Sequence, residues 1–199
     1  METKRLIIVA VGGQGNLLAS KVLGEAALNS DMPVKMSEIH GMAQRGGVVE
    51  SAILFGDAKS TIISDGEADI LLGFEPSETL RALNKCSKDT VVITNTTQLP
   101  PFTVGIGIGT YPDMQELQRL IKEKTTRLIA FDASDLANQA GNPMSLNIVL
   151  LGALIQTGIL PLSADTIKHA IRTTTKQAFV ETNIKAFDLG FSAAENNIN

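Results

Sequence analysis

The chain has 199 residues, a formal net charge of −4 and an isoelectric point of about 5.2. This length suits one α/β domain with a proper core, while the lack of a basic excess and the 4% of aromatic residues argue against a nucleic-acid-binding protein. The first apolar run is too short for a signal peptide or a membrane span, so no membrane association is expected. One cysteine, Cys86, cannot form an internal disulfide, and a reducing cytoplasm is the simplest compartment.

The first unusual stretch is a buried strand that passes through a glycine turn into a helix. Residues 6–11 form an unbroken apolar run with the β-branched content of a strand that is covered on both faces. From residue 16 to residue 28 the apolar positions recur every three to four residues, which predicts a helix. Glycines permit close approach of a ligand or another backbone, and the N–H groups of a helix start attract polar or anionic groups. A site that faces a ligand or a partner is therefore predicted at Gly12, Gly13, Gln14, Gly15 and Asn16.

A dinucleotide-binding fingerprint is the obvious alternative for this turn, and it fits poorly. Leu18 stands where the third glycine should allow close packing of helix and strand. Glu38 lies near the position of a ribose-binding acid, which keeps NAD or FAD as an alternative. A glycine turn that only folds the helix back onto the sheet is a further alternative.

The second unusual stretch is a polar, glycine-rich loop between two predicted strands, residues 34–39 and 48–55. So short a connection cannot be a right-handed crossover, so we expect a β-excursion and a mixed sheet. Arg45 has the geometry to bind a phosphate or carboxylate through two hydrogen bonds. On spacing alone, a solvated arginine and a satisfied histidine remain the plainer interpretation. The candidate residues of this loop are His40, Gly41, Gln44, Arg45, Gly46 and Gly47.

The rest of the chain alternates between strand and helix patterns, which predicts a single domain over residues 1–199. We expect a three-layer α/β/α, Rossmann-like fold with a mixed but mostly parallel sheet. Residues 104–109 alternate like a strand, although their glycines weaken that assignment, and residues 192–199 are predicted to be a frayed tail. Further strands are predicted at 68–74, 90–95 and 127–132, and further helices at 75–84, 114–124, 133–140, 147–155, 163–173 and 176–188.

No set of residues has the pattern of a catalytic centre, so neither catalytic residues nor a metal site are expected in this chain. His40 and His169 are its only histidines. Asp65, Asp69 and Asp132 lie at predicted strand ends, where α/β sites form but where turns and helix caps also occur. Cys86 is expected to be an inert thiol at the end of a helix. A domain of this kind often works as one part of a larger assembly.

Four motifs together resemble the gamma domain of 2-oxoacid:ferredoxin oxidoreductases, most closely its indolepyruvate branch. The resemblance covers nearly the whole chain, and the exact sequence of the second motif favours the branch that acts on aryl pyruvates. The motifs are Val11-Gly12-Gly13-Gln14-Gly15, then Ser37-Glu38-Ile39-His40-Gly41-Met42-Ala43-Gln44-Arg45-Gly46-Gly47, and near the end Asn147-Ile148-Val149-Leu150-Leu151-Gly152-Ala153-Leu154 and Glu181-Thr182-Asn183-Ile184-Lys185-Ala186-Phe187-Asp188-Leu189-Gly190.

The resemblance implies a small subunit of a complex that decarboxylates a 2-oxoacid on thiamine diphosphate. Electrons then pass singly through [4Fe–4S] clusters to ferredoxin, and the acyl group is transferred to the co-substrate coenzyme A. Thiamine diphosphate, its Mg²⁺ and the clusters would belong to the large (alpha) subunit, so this chain would bind no cofactor and have no activity alone. The glycine turn and residues 40–47 would lie on the surface that meets that partner, substrate or coenzyme A.

Three alternatives remain open on the sequence. The first is a complex that acts on pyruvate, 2-oxoglutarate or a branched-chain 2-oxoacid, whose subunits share looser forms of the same motifs. The second is a free nucleotide-dependent oxidoreductase, and the third is a binding or scaffold protein without an enzymatic partner.

Overall fold

A computed structural model describes residues 2–41 and 47–196, apart from the side chains of residues 102 and 103. The described strands form one six-stranded sheet in the order β2-β3-β1-β4-β5-β6. β1 pairs in parallel with β4, as do β4 with β5 and β5 with β6, whereas β3 is antiparallel to both of its neighbours. This confirms the mixed, mostly parallel sheet and the β-excursion. The strands are β1 Lys4–Val11, β2 Val34–His40, β3 Val48–Phe55, β4 Ala68–Gly73, β5 Cys86–Asn95 and β6 Arg127–Phe131.

Helices cover both faces of this sheet, as the predicted three layers require. On one face α1 and α5 to α8 pack on the side chains of Leu6 and Ile8, and on the other face α2 and α4 pack on Ile7 and Val9. The alternation follows from the period of two in a strand that is buried on both sides. The helices are α1 Asn16–Leu28, α2 Pro76–Arg81, α3 Phe102–Gly105, α4 Met114–Lys124, α5 Ala133–Ala140, α6 Leu146–Gln156, α7 Ala164–Thr174 and α8 Val180–Asn196.

Two glycines allow the buried helix α6 to approach α8 closely. A Cβ on Gly190 would lie 1.8 Å from the carbonyl oxygen of Val149, and one on Gly152 would lie 2.1 Å from that of Phe187. Since every residue from Leu146 to Ile155 is buried, α6 forms the centre of its layer. Among the described residues, no helix is long and apolar enough to span a membrane.

Two predicted assignments were wrong. Residues 104–109 are not a strand, because α3 ends at Gly105 and Gly107 adopts a φ of +78°, which breaks extended pairing. Residues 192–196 are not frayed, because α8 continues to Asn196 and buries Ala194. Residues 197–199 lie outside the described part. The other predicted strands and helices agree with the observed ones within a few residues. The largest differences are at the starts of β5, which begins at Cys86 and not at residue 90, and of α8, which begins at Val180 after a short 3-10 helix and not at residue 176.

Candidate functional site

The carboxyl ends of the parallel strands meet at one edge of the sheet, where sites in α/β folds form. This edge brings the two unusual stretches of the sequence together. The backbone N–H of Gly12 donates to the carbonyl oxygen of Gly47 at 2.8 Å, and the N–H of Gly41 donates to Val48 at 2.7 Å. We call the connection between β2 and β3, residues 41–47, the hairpin loop. The glycine turn and the base of the hairpin loop therefore form one continuous surface.

Gln14 holds the glycine turn in shape. Its amide oxygen accepts from the N–H of Val11 at 2.8 Å, and its amide nitrogen donates to the carbonyl oxygen of Phe74 at 3.2 Å. Gly13 and Gly15 adopt φ angles of +101° and +84°, which side chains other than glycine rarely tolerate. A Cβ on Gly13 would meet nothing within 4 Å, so this glycine faces open space.

Buried asparagines fix the turn from behind. Asn147, at the start of α6, donates to the carbonyl oxygen of Gly15 at 3.0 Å, and Asn95 donates to that of Phe74 at 3.2 Å. Asn16 is 4% exposed and donates to the carbonyl oxygen of Val49 at 3.4 Å. Because these partners are far apart in the sequence, the shape of the turn depends on the whole sheet edge.

A cleft of about 410 Å³ opens beside the turn, between the start of α1 and the starts of α6 and α8. Leu18 and Phe179 provide apolar lining, while Asn147 and Asn183 contribute buried amides. Lys176 adds a positive charge. The cleft combines an apolar wall with hydrogen-bond donors, which suits an elongated ligand or a segment of a partner.

The predicted hairpin residues are only partly described. His40 is exposed at the end of β2 and pairs with Val49 of β3. Gly41 and Gly47 lie at the base of the loop. Gln44, Arg45 and Gly46 lie outside the described residues.

The acidic candidates do not gather at this edge. Asp65 lies before β4 and forms an ion pair with Lys85 at 3.1 Å; the hydrogen bond from Lys85 lowers the pKa of its carboxyl, and a second one from Asn84 adds to this. Asp69 accepts from the N–H of Arg5 at 2.7 Å. Each of them therefore has a structural partner.

Asp132 does lie at the carboxyl edge, where it caps α5 through the N–H of Asp135 at 2.8 Å and accepts from the Thr97 hydroxyl at 2.7 Å. Its carboxylate is thus engaged in structure. His169 lies exposed on α7.

Cys86 is fully buried at the start of β5, directly after a short 3-10 helix. Burial raises the pKa of its thiol to about 11, against a weaker opposing effect of the hydrogen bond with Thr90. An iron–sulfur cluster needs four thiolates, so the single cysteine of this chain does not fit one. Among the described residues, no group of three or more His, Cys, Asp or Glu side chains could hold a metal ion.

Sequence reasoning identified Asn16 but missed Asn147 and Asn95, which also support the turn. Asn147 carries a usable signal, because it is the one polar residue at the start of an otherwise apolar helix. Asn95 gave little signal, since a polar residue that ends a strand is common. The role of the Phe74 carbonyl depends on backbone geometry alone.

Residues 5–193 match the sequence profile of the family described as pyruvate ferredoxin/flavodoxin oxidoreductase. The chain belongs to this family. The resemblance to 2-oxoacid:ferredoxin oxidoreductases is thereby confirmed.

Within the pyruvate ferredoxin/flavodoxin oxidoreductase family, curated relatives match over the full chain. The chain is 43% identical to indolepyruvate oxidoreductase subunit IorB of Pyrococcus horikoshii over 201 residues, which covers 100% of both chains. It is 41% identical to the protein of the same name from Thermococcus kodakarensis over 197 residues, or 98% of each chain.

A solved structure of the same class has the same fold. The gamma subunit of a keto/oxoacid ferredoxin oxidoreductase from Geobacter sulfurreducens superposes with a TM-score of 0.72 at 26% sequence identity. The match covers 97% of this chain and 99% of that subunit. This likeness confirms the predicted fold class.

Proposed function

We propose that the chain is the small subunit of an indolepyruvate:ferredoxin oxidoreductase, an enzyme that decarboxylates aryl pyruvates oxidatively. The observation that carries the proposal is the 43% identity to an indolepyruvate oxidoreductase subunit along its entire length. The joined surface of the glycine turn and the hairpin base supports it, because a subunit that works within a complex needs a surface for its partner. Under this proposal residues 1–199 are one gamma-type domain, and the complex works in the cytoplasm.

The proposed reaction consumes a 2-oxoacid, coenzyme A and two oxidised ferredoxins. The bond between the carboxyl carbon and the oxo carbon breaks, and the carboxyl group leaves as CO2. Two electrons pass singly to ferredoxin, the sulfur of coenzyme A bonds to the acyl carbon, and the thiol proton is released. Thiamine diphosphate with Mg²⁺ provides the carbanion chemistry when it is bound in the large subunit, which also carries the [4Fe–4S] clusters.

The role that we assign to this chain is positioning. Gly12, Gly13, Gly15 and Asn16, fixed by Gln14, would present backbone groups to the large subunit or to coenzyme A. The hairpin loop would extend this surface, and its residues in the proposal are His40, Gly41, Gln44, Arg45, Gly46 and Gly47. No bond-breaking step is assigned to these residues.

The proposal is tested by reconstitution with the large subunit, identified as the thiamine- and cluster-bearing product of an adjacent reading frame. We expect the two chains to co-purify and to reduce ferredoxin only when a 2-oxoacid and coenzyme A are both present. Indolepyruvate should give the highest kcat/KM among indolepyruvate, pyruvate, 2-oxoglutarate and a branched-chain oxoacid.

Each failure in this experiment has a distinct meaning. A higher kcat/KM with another oxoacid would reassign the substrate and keep the subunit role. Stoichiometric binding of NAD or FAD to the isolated chain, without assembly, would favour the free oxidoreductase. Activity of the large subunit that does not depend on this chain would contradict the proposal.

Arg45 provides a second test of where the hairpin loop acts. Arg45→Lys keeps the charge but loses the two-pronged geometry of the guanidinium. If Arg45 contacts the large subunit, which is the role we favour, the variant should co-purify less well while KM and kcat of the surviving complex change little. A raised KM for the oxoacid alone, or for coenzyme A alone, would assign the arginine to that substrate instead. Unchanged assembly and kinetics would make it a solvated surface residue.

A further inference from the structure

Glu75 is a buried carboxylate that the positioning role above does not use. It lies two residues after the end of β4, is 0% exposed and accepts hydrogen bonds with both oxygens. Oε2 accepts from the N–H of Ser77 at 2.7 Å, from its hydroxyl at 2.6 Å and from the N–H of Glu78 at 3.1 Å. The two bonds from backbone N–H groups cap α2.

The other oxygen of Glu75 binds the segment 98–112, which we call the arm. Oε1 accepts from the N–H of Leu99 at 3.2 Å and from the hydroxyl of Tyr111. Leu99 and Tyr111 lie near opposite ends of the arm, so one carboxylate oxygen fastens both ends. Hydrogen bonds to a charged acceptor are about twice as strong as neutral ones, which makes this fastening significant.

The described side chains of the arm contribute little burial. None of its residues with a described side chain is buried, and Ile108 is 76% exposed. A cavity of about 150 Å³ remains between the arm and α2, lined by Leu80 and Val104 among others. A segment with few buried contacts opens locally at low cost in free energy. The bonds to Glu75 are therefore expected to control whether the arm is closed.

Glu75 is also connected to the glycine turn, through its peptide bond to Phe74 and a hydrogen bond from Gln14 to the Phe74 carbonyl. The carbonyl oxygen of Phe74 accepts from the amides of Gln14 and Asn95, each at 3.2 Å. That carbonyl and the N–H of Glu75 belong to one planar peptide unit, which moves as a rigid body. The arm and the glycine turn thus depend on neighbouring groups of one peptide, so any shift of this peptide when the arm opens would also change the hydrogen bond from Gln14.

We propose that the Phe74-Glu75 peptide is a coupling element that links closure of the arm to the shape of the glycine turn. By linkage, a ligand or partner that stabilises the turn also favours the closed arm, and by the same factor. The inference depends only on the geometry of this chain and holds whichever substrate the complex takes.

Hydrogen–deuterium exchange of the full-length chain tests the coupling, with Tyr111→Phe as the central variant. This variant removes one bond to Glu75 and leaves the cap of α2 intact. We expect exchange at least about tenfold faster in the arm and also in residues 12–18, from the loss of a hydrogen bond to a charged acceptor. Exchange in α8 should stay unchanged. Glu75→Gln, whose amide nitrogen cannot accept a hydrogen bond, should show the same pattern with a larger effect.

The matched control is Asp113→Ala, which removes the cap of α4 right next to the arm. Asp113 accepts from the N–H groups of Gln115 and Glu116, so its described hydrogen bonds hold α4 and not Glu75. We expect faster exchange at the start of α4 and an unchanged exchange rate in residues 12–18. Faster exchange confined to the arm in Tyr111→Phe would overturn the coupling. So would an equal increase along the whole chain, no change at all, or an equal response of the glycine turn in the control.

Discussion

At the scale of single residues, the glycine turn allows the cost of backbone strain to be measured separately from the cost of a steric clash. Gly13 and Gly15 both have positive φ angles, but only at Gly15 would a Cβ meet a neighbour, 2.7 Å from the amide nitrogen of Asn147. We expect Gly13→Ala to lower the free energy of unfolding by about 1–2 kcal/mol through backbone strain alone. Gly15→Ala should lower it by about 2–4 kcal/mol, since the Asn147 hydrogen bond is also lost.

Urea denaturation of both variants measures this difference. Combining Gly15→Ala with Asn147→Ala removes the clash, so the double variant should lose less stability than the sum of the two single variants. Strict additivity would mean that the turn and α6 do not interact as the structure indicates.

A second residue-scale prediction concerns Glu78, whose Oε2 is buried without a hydrogen-bond partner in the described chain. Burial raises the pKa of its carboxyl above the ordinary 4.5; Arg81 opposes this and nearby Glu75 adds to it. The folded chain thus binds this proton more tightly than the unfolded chain, so the stabilisation is present below pH 4.5 and lost as pH rises through the folded-state pKa. Glu78→Gln should therefore be more stable than the wild type at pH 7.

Thermal unfolding at pH 7 and at pH 4 checks this prediction, and the advantage of Glu78→Gln should shrink at the lower pH. The control is Glu116→Gln, because the hydrogen bond from Arg119 lowers the pKa of Glu116 and gives the opposite sign. Equal stability of Glu78→Gln and the wild type at both pH values would contradict the assigned cost of burial.

At the scale of elements, the pair of α6 and α8 is the most demanding contact. The Cβ of an alanine at position 190 would lie 1.8 Å from a backbone oxygen of α6, which no side-chain movement can relieve. Gly190→Ala should therefore cost upwards of about 3 kcal/mol, or roughly 6–12 °C in Tm for a chain of this size.

Gly24→Ala in α1 is the matched control for this measurement. Its Cβ would lie 3.1 Å from the flexible thioether of Met36, and alanine favours helix by about 1 kcal/mol over glycine. A small change or a gain in Tm is expected. Equal losses in Gly190→Ala and Gly24→Ala would contradict the close approach of the two helices.

The elements also show how far the sequence pattern reaches. Strands buried on both faces and amphipathic helices such as α4 are specified locally, and so is the antiparallel excursion, which follows from a short loop between β2 and β3. Residues 104–109 alternate like a strand, but Gly107 adopts a left-handed conformation, which a glycine permits without requiring it and which the sequence alone does not reveal. The prediction of a frayed tail from residue 192 was wrong because packing on α6 holds α8, and a polar terminal sequence does not reveal this packing.

At the scale of the whole molecule, the candidate site could be predicted only in part. The two glycine-rich stretches were recognisable from composition, but their meeting at one sheet edge depends on strand order. Asn147 reaches Gly15 across 132 positions of the chain, and Glu75 reaches Tyr111 across 36. Local sequence patterns do not predict contacts between residues so far apart, so the side chains that hold the site in place are known only from the fold.

The last prediction concerns the division of labour between this chain and its proposed large partner. The purified chain should be colourless, since its one thiol is buried with a pKa of about 11 and cannot provide the thiolates of a cluster. For the same reason, alkylation of Cys86 should be slow in the folded chain and fast after unfolding. The pKa alone lowers the thiolate fraction at pH 8 about a hundredfold relative to the ordinary thiol value of 9.0.

The expected lack of colour is measured by the absorption spectrum and the iron content of anaerobically prepared protein, with the co-purified complex as the coloured control. Iron in stoichiometric amount with a broad band near about 400 nm in the chain alone, where clusters absorb, would contradict this division.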